Sequence, residues 1–191
     1  MALFRNYQDF ALHTMNEYLT MAKVSMTVPK EKDSGGCYGM AALLLLSSVI
    51  DTLGSFYPNK QYTRRVQQDV DNKKVGGVED HFGDFCKKFI SDDDTKAENF
   101  KKNFYKQGRC ATVHNSALRS GILISIDKNV PMFNADYTTI NIAKLYDKVE
   151  DAFNTWVYDT YHSNDVLSLL KEYSPIPDTG TTQNNVSQSA K

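Results

Sequence analysis

Arg109 and His114 are the two residues of this chain whose types and spacing could do chemistry. They stand in NFYKQGRCATVHN, residues 103–115, with four residues between them. Arginine offers a planar fork that holds a phosphate or carboxylate through two parallel hydrogen bonds. Histidine, with an ordinary pKa of about 6.5, can move protons at neutral pH. Tyr105 and Asn115 flank the pair as groups able to orient a ligand or the imidazole. Lys101, Lys102 and Lys106 precede it as groups able to follow a phosphate backbone.

Charge is concentrated around this stretch. Between 95 and 120 six basic residues (Lys96, Lys101, Lys102, Lys106, Arg109, Arg119) accompany one acid, Glu98, a local charge of +5 in a chain of net charge −1. The near-neutral total excludes a globally basic nucleic-acid binder and leaves a local cationic strip in place.

The helix that must carry these residues reads from about 95 to 118. At about 100° per residue, Phe100, Phe104, Ala111 and Leu118 form a seam. Gln107, Gly108, His114 and Asn115 interrupt that seam with groups that hydrocarbon packing does not call for. On the same winding Arg109 and His114 are about 140° apart. Chemistry by the pair then needs a loosened helix at Gly108 or a two-fold interface to which each chain brings its own pair.

The stretch resembles the R-x4-6-H signature of the HEPN superfamily. Tyr105 before the arginine and Asn115 after the histidine are also similar. So is the plan of long helices, with an apolar second helix that has an acidic residue, Asp51, near its end. The resemblance implies a helical bundle, usually dimeric, with the motifs paired in a cleft. Active members are metal-independent endoribonucleases, in which the ribose 2′-OH attacks the adjacent phosphate. In that chemistry His114 would move protons and Arg109 would hold the phosphate and offset its developing charge. Active members often have a polar residue directly after the arginine; here it is Cys110, a poor hydrogen-bond donor. That departure puts binding ahead of catalysis.

The elements that position the motif are helical by their periodicity. Residues 4–25 place Phe4, Tyr7, Phe10, Ala11, Met15, Tyr18, Met21 and Ala22 on an apolar face. GMAALLLLSSVI, 39–50, is too short for the roughly 20 apolar residues of a membrane span and predicts a buried central helix ended by Pro58. Residues 60–78 read as a polar loop. VEDHFGDFCKKFI resumes helical spacing through Phe82, Phe85 and Phe89. Thr95 with Glu98 reads as a capping box for the motif helix. ILISID and PMFNA, around a turn at 127–130, predict a short β-hairpin near 121–138. Asn141 predicts the cap of a last long helix, with a shorter helical piece at DVLSLLKEY. The expected fold is mainly all-α: an antiparallel bundle of four to five helices with the hairpin inserted. One domain covers 1–173. The polar remainder, 174–191, has too few apolar residues to offset its ordering entropy and reads as a flexible tail.

Other chemistries have little support. EDHFGDFC gathers Glu79, Asp80, His81, Asp84 and Cys86, but no second ligand cluster completes a metal site, and acids at a helix start explain it. No metal or cofactor is expected. His13 and His162 have no evident partners. Cys37, Cys86 and Cys110 are odd in number and form no CxxC, which points to a reducing cytoplasm. No nucleotide-loop, nucleophile-elbow or HExxH motif occurs. The expected function is therefore binding of RNA or a phosphate-containing ligand at an Arg/His cleft of a homodimer. Two alternatives stand beside it: a toxin-like or defence endoribonuclease with a protein partner such as an antitoxin, and a structural or interaction protein with no active site.

Overall fold

The computed structural model describes residues 7–28, 38–57, 78–110, 123–127, 129–135, 137, 139–163, 165–167 and 170, the side chains of 78 and 107–110 excepted. The expectations for residues 1–6, for the loop at 60–77, for 111–121 and for the tail at 174–191 fall outside the described residues.

The fold is mostly helical. In chain order come α1 (Tyr7–Thr27), α2 (Gly39–Phe56), α3 (Val78–Phe85), α4 (Asp94–Asn99), β1 (Leu123–Ser125), β2 (Thr139–Asn141) and α5 (Ile142–Tyr161). Two of the helices change winding without a break. α3 continues as a π-helix over Cys86–Ile90, and α4 continues as one over Phe100–Cys110.

α2 is the centre. Ala42, Leu43, Leu46, Val49, Ile50 and Leu53 are fully buried, at spacings that leave no wholly solvated face. Each of the buried leucine, valine and isoleucine side chains stabilises the fold by about 1.5–3 kcal/mol relative to exposure. The helix runs for 18 residues, so its length alone does not rule out a membrane span. Burial inside the protein accounts for its apolar character instead. Ser47, also buried, donates its hydroxyl to the Leu43 carbonyl at 2.7 Å, so no polar atom is stranded there.

α1 and α5 flank α2. α1 runs antiparallel to both: Tyr7 at its start meets Phe56 at the end of α2, and Tyr161 at the end of α5 donates to Asp9. At the other end Lys23 lies over the Tyr146 ring near the start of α5. Of the predicted apolar face of α1, Ala11, Met15 and Ala22 are buried and Tyr7, Phe10 and Met21 are exposed; Leu12 and Leu19, outside that face, join the buried side, and Val24 the exposed one. The period alone could not separate two apolar rows on one helix.

The expected hairpin is corrected. β1 pairs with β2 in parallel, with Leu123 opposite Thr139, Ile124 opposite Ile140 and Ser125 opposite Asn141. The 131–135 segment touches β2 at a single antiparallel bridge, Phe133 to Ile140. The turn chemistry at Asp127 is real, since its carboxylate accepts from the Asn129 N–H at 2.9 Å. It serves a crossover, as parallel strands require, and Asn141 is the reason. Fully buried, Asn141 donates its amide to the carbonyls of Asp127 (2.6 Å) and Val130 (3.0 Å), which folds the crossover back onto β2. Its Oδ1 accepts from the Lys144 N–H at 3.1 Å, capping α5 as expected. Asn141→Ala removes a cap and leaves two carbonyls without that donor. The expected loss is about 2 kcal/mol in urea denaturation; a change under about 0.5 kcal/mol would contradict this role.

The cap of α4 is also corrected. Asp93, not Thr95, holds that position, and its carboxylate accepts from the N–H groups of Thr95 and Lys96. At the C-terminus of α5, His162 takes φ 52°, the left-handed conformation that closes a helix, and its N–H reaches the Tyr158 carbonyl at 2.8 Å.

Candidate functional site

The helix that carries Arg109 is built on aromatic packing. Phe82 and Phe85 from α3 and Phe100 and Phe104 from the second π segment are fully buried. Phe82 lies 5.7 Å from Phe104 and 5.0 Å from Tyr105 between ring centroids. Phe100 and Phe104 are 4.8 Å apart. Phe133, from the crossover, meets both edge-on.

The π winding is visible in which side chains share a face. Phe100 and Tyr105, five residues apart, both meet Phe82. Lys101 and Lys106, also five apart, both reach acids of α3. On an α-helix such pairs would diverge by about 140°, whereas π-helical hydrogen bonds run from i to i+5 and align them. The α-helical wheel therefore does not apply to 100–110.

On the α3 side of this helix lies a charged cluster that sequence reasoning assigned to a helix start. The Lys101 ammonium is 2.7 Å from Asp80 Oδ1, and Lys101 is only 8% exposed. The Lys106 ammonium stands 3.4 Å from Glu79 Oε1 and is 56% exposed. His81 donates through Nδ1 to Asp51 Oδ1 at 2.6 Å, linking α3 to α2. That hydrogen bond raises the His81 pKa above its ordinary 6.5. Burial opposes the rise, and the charges of Asp51, Asp84 and Asp80 add to it. Asp84 is itself buried.

Gly54 makes the cluster possible. A Cβ there would lie 2.0 Å from the His81 carbonyl oxygen, so the backbones of α2 and α3 meet where only glycine fits. The available signal for the His81–Asp51 link was Asp51 itself, a carboxylate on a helix that is otherwise core.

The predicted site residues are distributed as follows. Lys102 is exposed, Tyr105 is half-buried against Phe82, and Lys101 and Lys106 are bonded to α3. The backbone of Arg109 is part of the π segment. His114 and Asn115 lie outside the described residues. In sequence the strip carries +5, but in space Asp80 and Glu79 each sit against one of its lysines. Among the described residues no group of three or more His, Cys, Asp or Glu side chains is placed to hold a metal. Cys86 is buried, and burial pushes its thiol up to about 12, so it is an inert small hydrophobe. At the far end of the same helix a hollow of about 360 Å³ lies between Lys96 and Asn99 and the Met132–Tyr137 crossover.

No protein-family model matches the chain, and neither a curated protein nor a solved structure does.

The His81–Asp51 link makes stability depend on pH with a defined sign. Because the folded pKa is raised, the stabilisation is fully present below about pH 6.5, the unfolded value, and is lost as pH rises through the folded pKa. The stability advantage of wild type over Asp51→Asn is therefore expected to be larger at pH 6 than at pH 8 in urea denaturation. An advantage that is the same at both would contradict the assignment.

Proposed function

We propose that the chain is a homodimeric helical protein that binds RNA, or another ligand presenting phosphate groups, at the C-terminal end of its second π segment. Arg109 holds the phosphate and His114 stands beside it. The observation that carries this reading is the winding of the helix. Residues five apart share a face along the π segment, as Phe100 with Tyr105 and Lys101 with Lys106 do, which leaves the exposed Lys102 and Lys106 on the approach to Arg109. The 100° wheel behind the angular objection does not describe the segment that ends at Cys110, and the step from there to His114 lies outside the described residues. π-Helical segments also occur frequently at functional sites. The resemblance to the HEPN superfamily adds the expectation of paired motifs in a dimer.

The electrostatics narrow the binding face. Lys102, which is exposed, and Lys106, whose contact with Glu79 is long, are the lysines suited to following a phosphate backbone. Lys101, buried on Asp80, serves better as the anchor of the segment to α3. Tyr105 and Asn115 retain an orienting role.

The same residues support a second reading, metal-independent endoribonuclease activity, to which a cytoplasmic toxin with an antitoxin partner belongs. One experiment separates the readings: single-stranded RNA is incubated in excess chelator with wild type and with His114→Ala, and both binding and cleavage are measured. Binding without cleavage is the expected result. Cleavage by wild type that is lost in His114→Ala establishes the second reading. Neither binding nor cleavage leaves a structural or interaction protein.

A further inference from the structure

The crossover between β1 and β2 holds one residue in a costly conformation. Tyr137 has φ 59°, in the left-handed region that bulky side chains rarely adopt. Its surroundings keep it there. The Tyr137 N–H donates to the Asn134 carbonyl at 3.1 Å, and Asn134 Oδ1 accepts from the Thr139 N–H of β2 at 2.8 Å. What this conformation achieves is the placement of a ring. Tyr137 lies 5.1 Å from Phe133 between centroids, and Phe133 in turn meets Phe100 and Phe104 edge-on. The Tyr137 hydroxyl reaches the Lys96 carbonyl of α4 at 3.5 Å. Backbone strain of this kind clusters at sites that bind or clamp a ligand.

The hollow at this place has the composition of a small-molecule site. Its volume of about 360 Å³ falls within the range of ligand pockets. The crossover contributes Met132, Phe133 and Tyr137 to its lining, and α4 contributes Lys96 and Asn99. Phe133 is seated on the aromatic core, so this part of the lining is in place before a ligand arrives. Two rings and a thioether favour a flat aromatic ligand, through stacking and sulfur–ring contact. Lys96 is exposed and brings a positive charge. The acids beside it in sequence have other duties: Asp93 caps α4, and Asp94 pairs with Lys87. Asn99 adds an amide that can both donate and accept. A cationic ligand would meet repulsion from Lys96, and an aliphatic one would gain nothing specific from the rings.

We infer that this hollow binds a small, flat aromatic anion, its ring against Phe133 and Tyr137 and its carboxylate on the Lys96 ammonium. The hollow lies at the far end of the helix from Arg109, and the inference does not depend on RNA recognition.

The test is isothermal titration calorimetry on the full chain with three probes. These are 1-naphthoate, 1-naphthalenemethanol, which lacks the charge, and cyclohexanecarboxylate, which lacks the aromatic ring. Wild type is expected to bind 1-naphthoate saturably, with a dissociation constant of about 1 mM or tighter. The other two probes should bind at least about threefold more weakly. Lys96→Gln, at an exposed position, should weaken 1-naphthoate about threefold or more and leave 1-naphthalenemethanol within about twofold. Tyr137→Asn suits the left-handed backbone and removes the ring. It should weaken both naphthyl probes about threefold or more, with circular dichroism confirming that the helices are kept. No saturable binding of 1-naphthoate by wild type would overturn the inference. So would cyclohexanecarboxylate binding as tightly as 1-naphthoate, or a 1-naphthoate affinity that Lys96→Gln leaves unchanged.

Discussion

Gly54→Ala is expected to destabilise the protein by about 3 kcal/mol, the upper part of the range for forcing extra volume into a packed interior. The added Cβ would meet the His81 carbonyl oxygen at 2.0 Å, its carbon at 2.6 Å and its Cα at 2.9 Å. All three are backbone atoms, so no rotamer change relieves the contact. α3 would have to move away from α2, stretching the His81–Asp51 hydrogen bond and pulling Phe82 and Phe85 out of register with Phe100 and Phe104. Gly39 is the internal control. A Cβ there meets side-chain methyl groups, Ile124 Cγ2 at 3.0 Å and Ile142 Cδ1 at 3.2 Å, which can shift by a few tenths of an ångström. Gly39→Ala is therefore expected to change stability by less than about 1 kcal/mol in the same urea denaturation series. Equal effects at the two glycines would contradict the close approach of α2 and α3.

Arg109→Ala is the second large effect. A charge-assisted bond to phosphate contributes about 1.5–3 kcal/mol, so affinity for single-stranded RNA is expected to fall roughly ten- to a hundredfold. Arg109→Lys keeps the charge and loses the two-pronged geometry, and should fall between wild type and alanine. Lys101→Ala separates the roles along the segment. It leaves Asp80 without its ammonium partner in a site that is largely buried, so its effect should appear in stability more than in affinity. Lys102→Ala should do the reverse, because its side chain is exposed.

How much of this was legible in the sequence depended on how local each signal was. Asn141 as a helix cap, the buried run of α2, and the apolar face of α5 through Leu145, Val149, Ala152, Phe153, Trp156 and Val157 follow from neighbours within a few turns. Features that rest on distant partners were not legible. The β1–β2 register depends on a buried Asn141 side chain reaching back to Asp127 and Val130, and the turn residues alone favour a hairpin. His81 and Asp51 are thirty residues apart and meet because Gly54 lets two backbones touch.

The candidate site divides in the same way. The residue types around Arg109 were readable, as was the cationic strip. The strip's partial neutralisation was not, because Glu79 and Asp80 approach it from another helix. The winding was not readable either: a 100° wheel assumes the α-helix, and the π segment shifts each side chain away from the place the wheel assigns. The exposed row of α1 was hidden by the buried row beside it, since both repeat with the helical period.

Whether Arg109 binds phosphate can be read from the salt dependence of RNA binding. The logarithm of affinity for a single strand falls with the logarithm of salt concentration, with a slope of about −0.7 per phosphate neutralised. Fluorescence anisotropy of a labelled single-stranded RNA, in chelator and across a salt series, gives that slope for wild type and Arg109→Ala. Wild type is expected to bind and Arg109→Ala to bind more weakly, with a slope shallower by about 0.7. Equal slopes and equal affinities in the two proteins, or no binding by wild type at low salt, would contradict phosphate binding at Arg109.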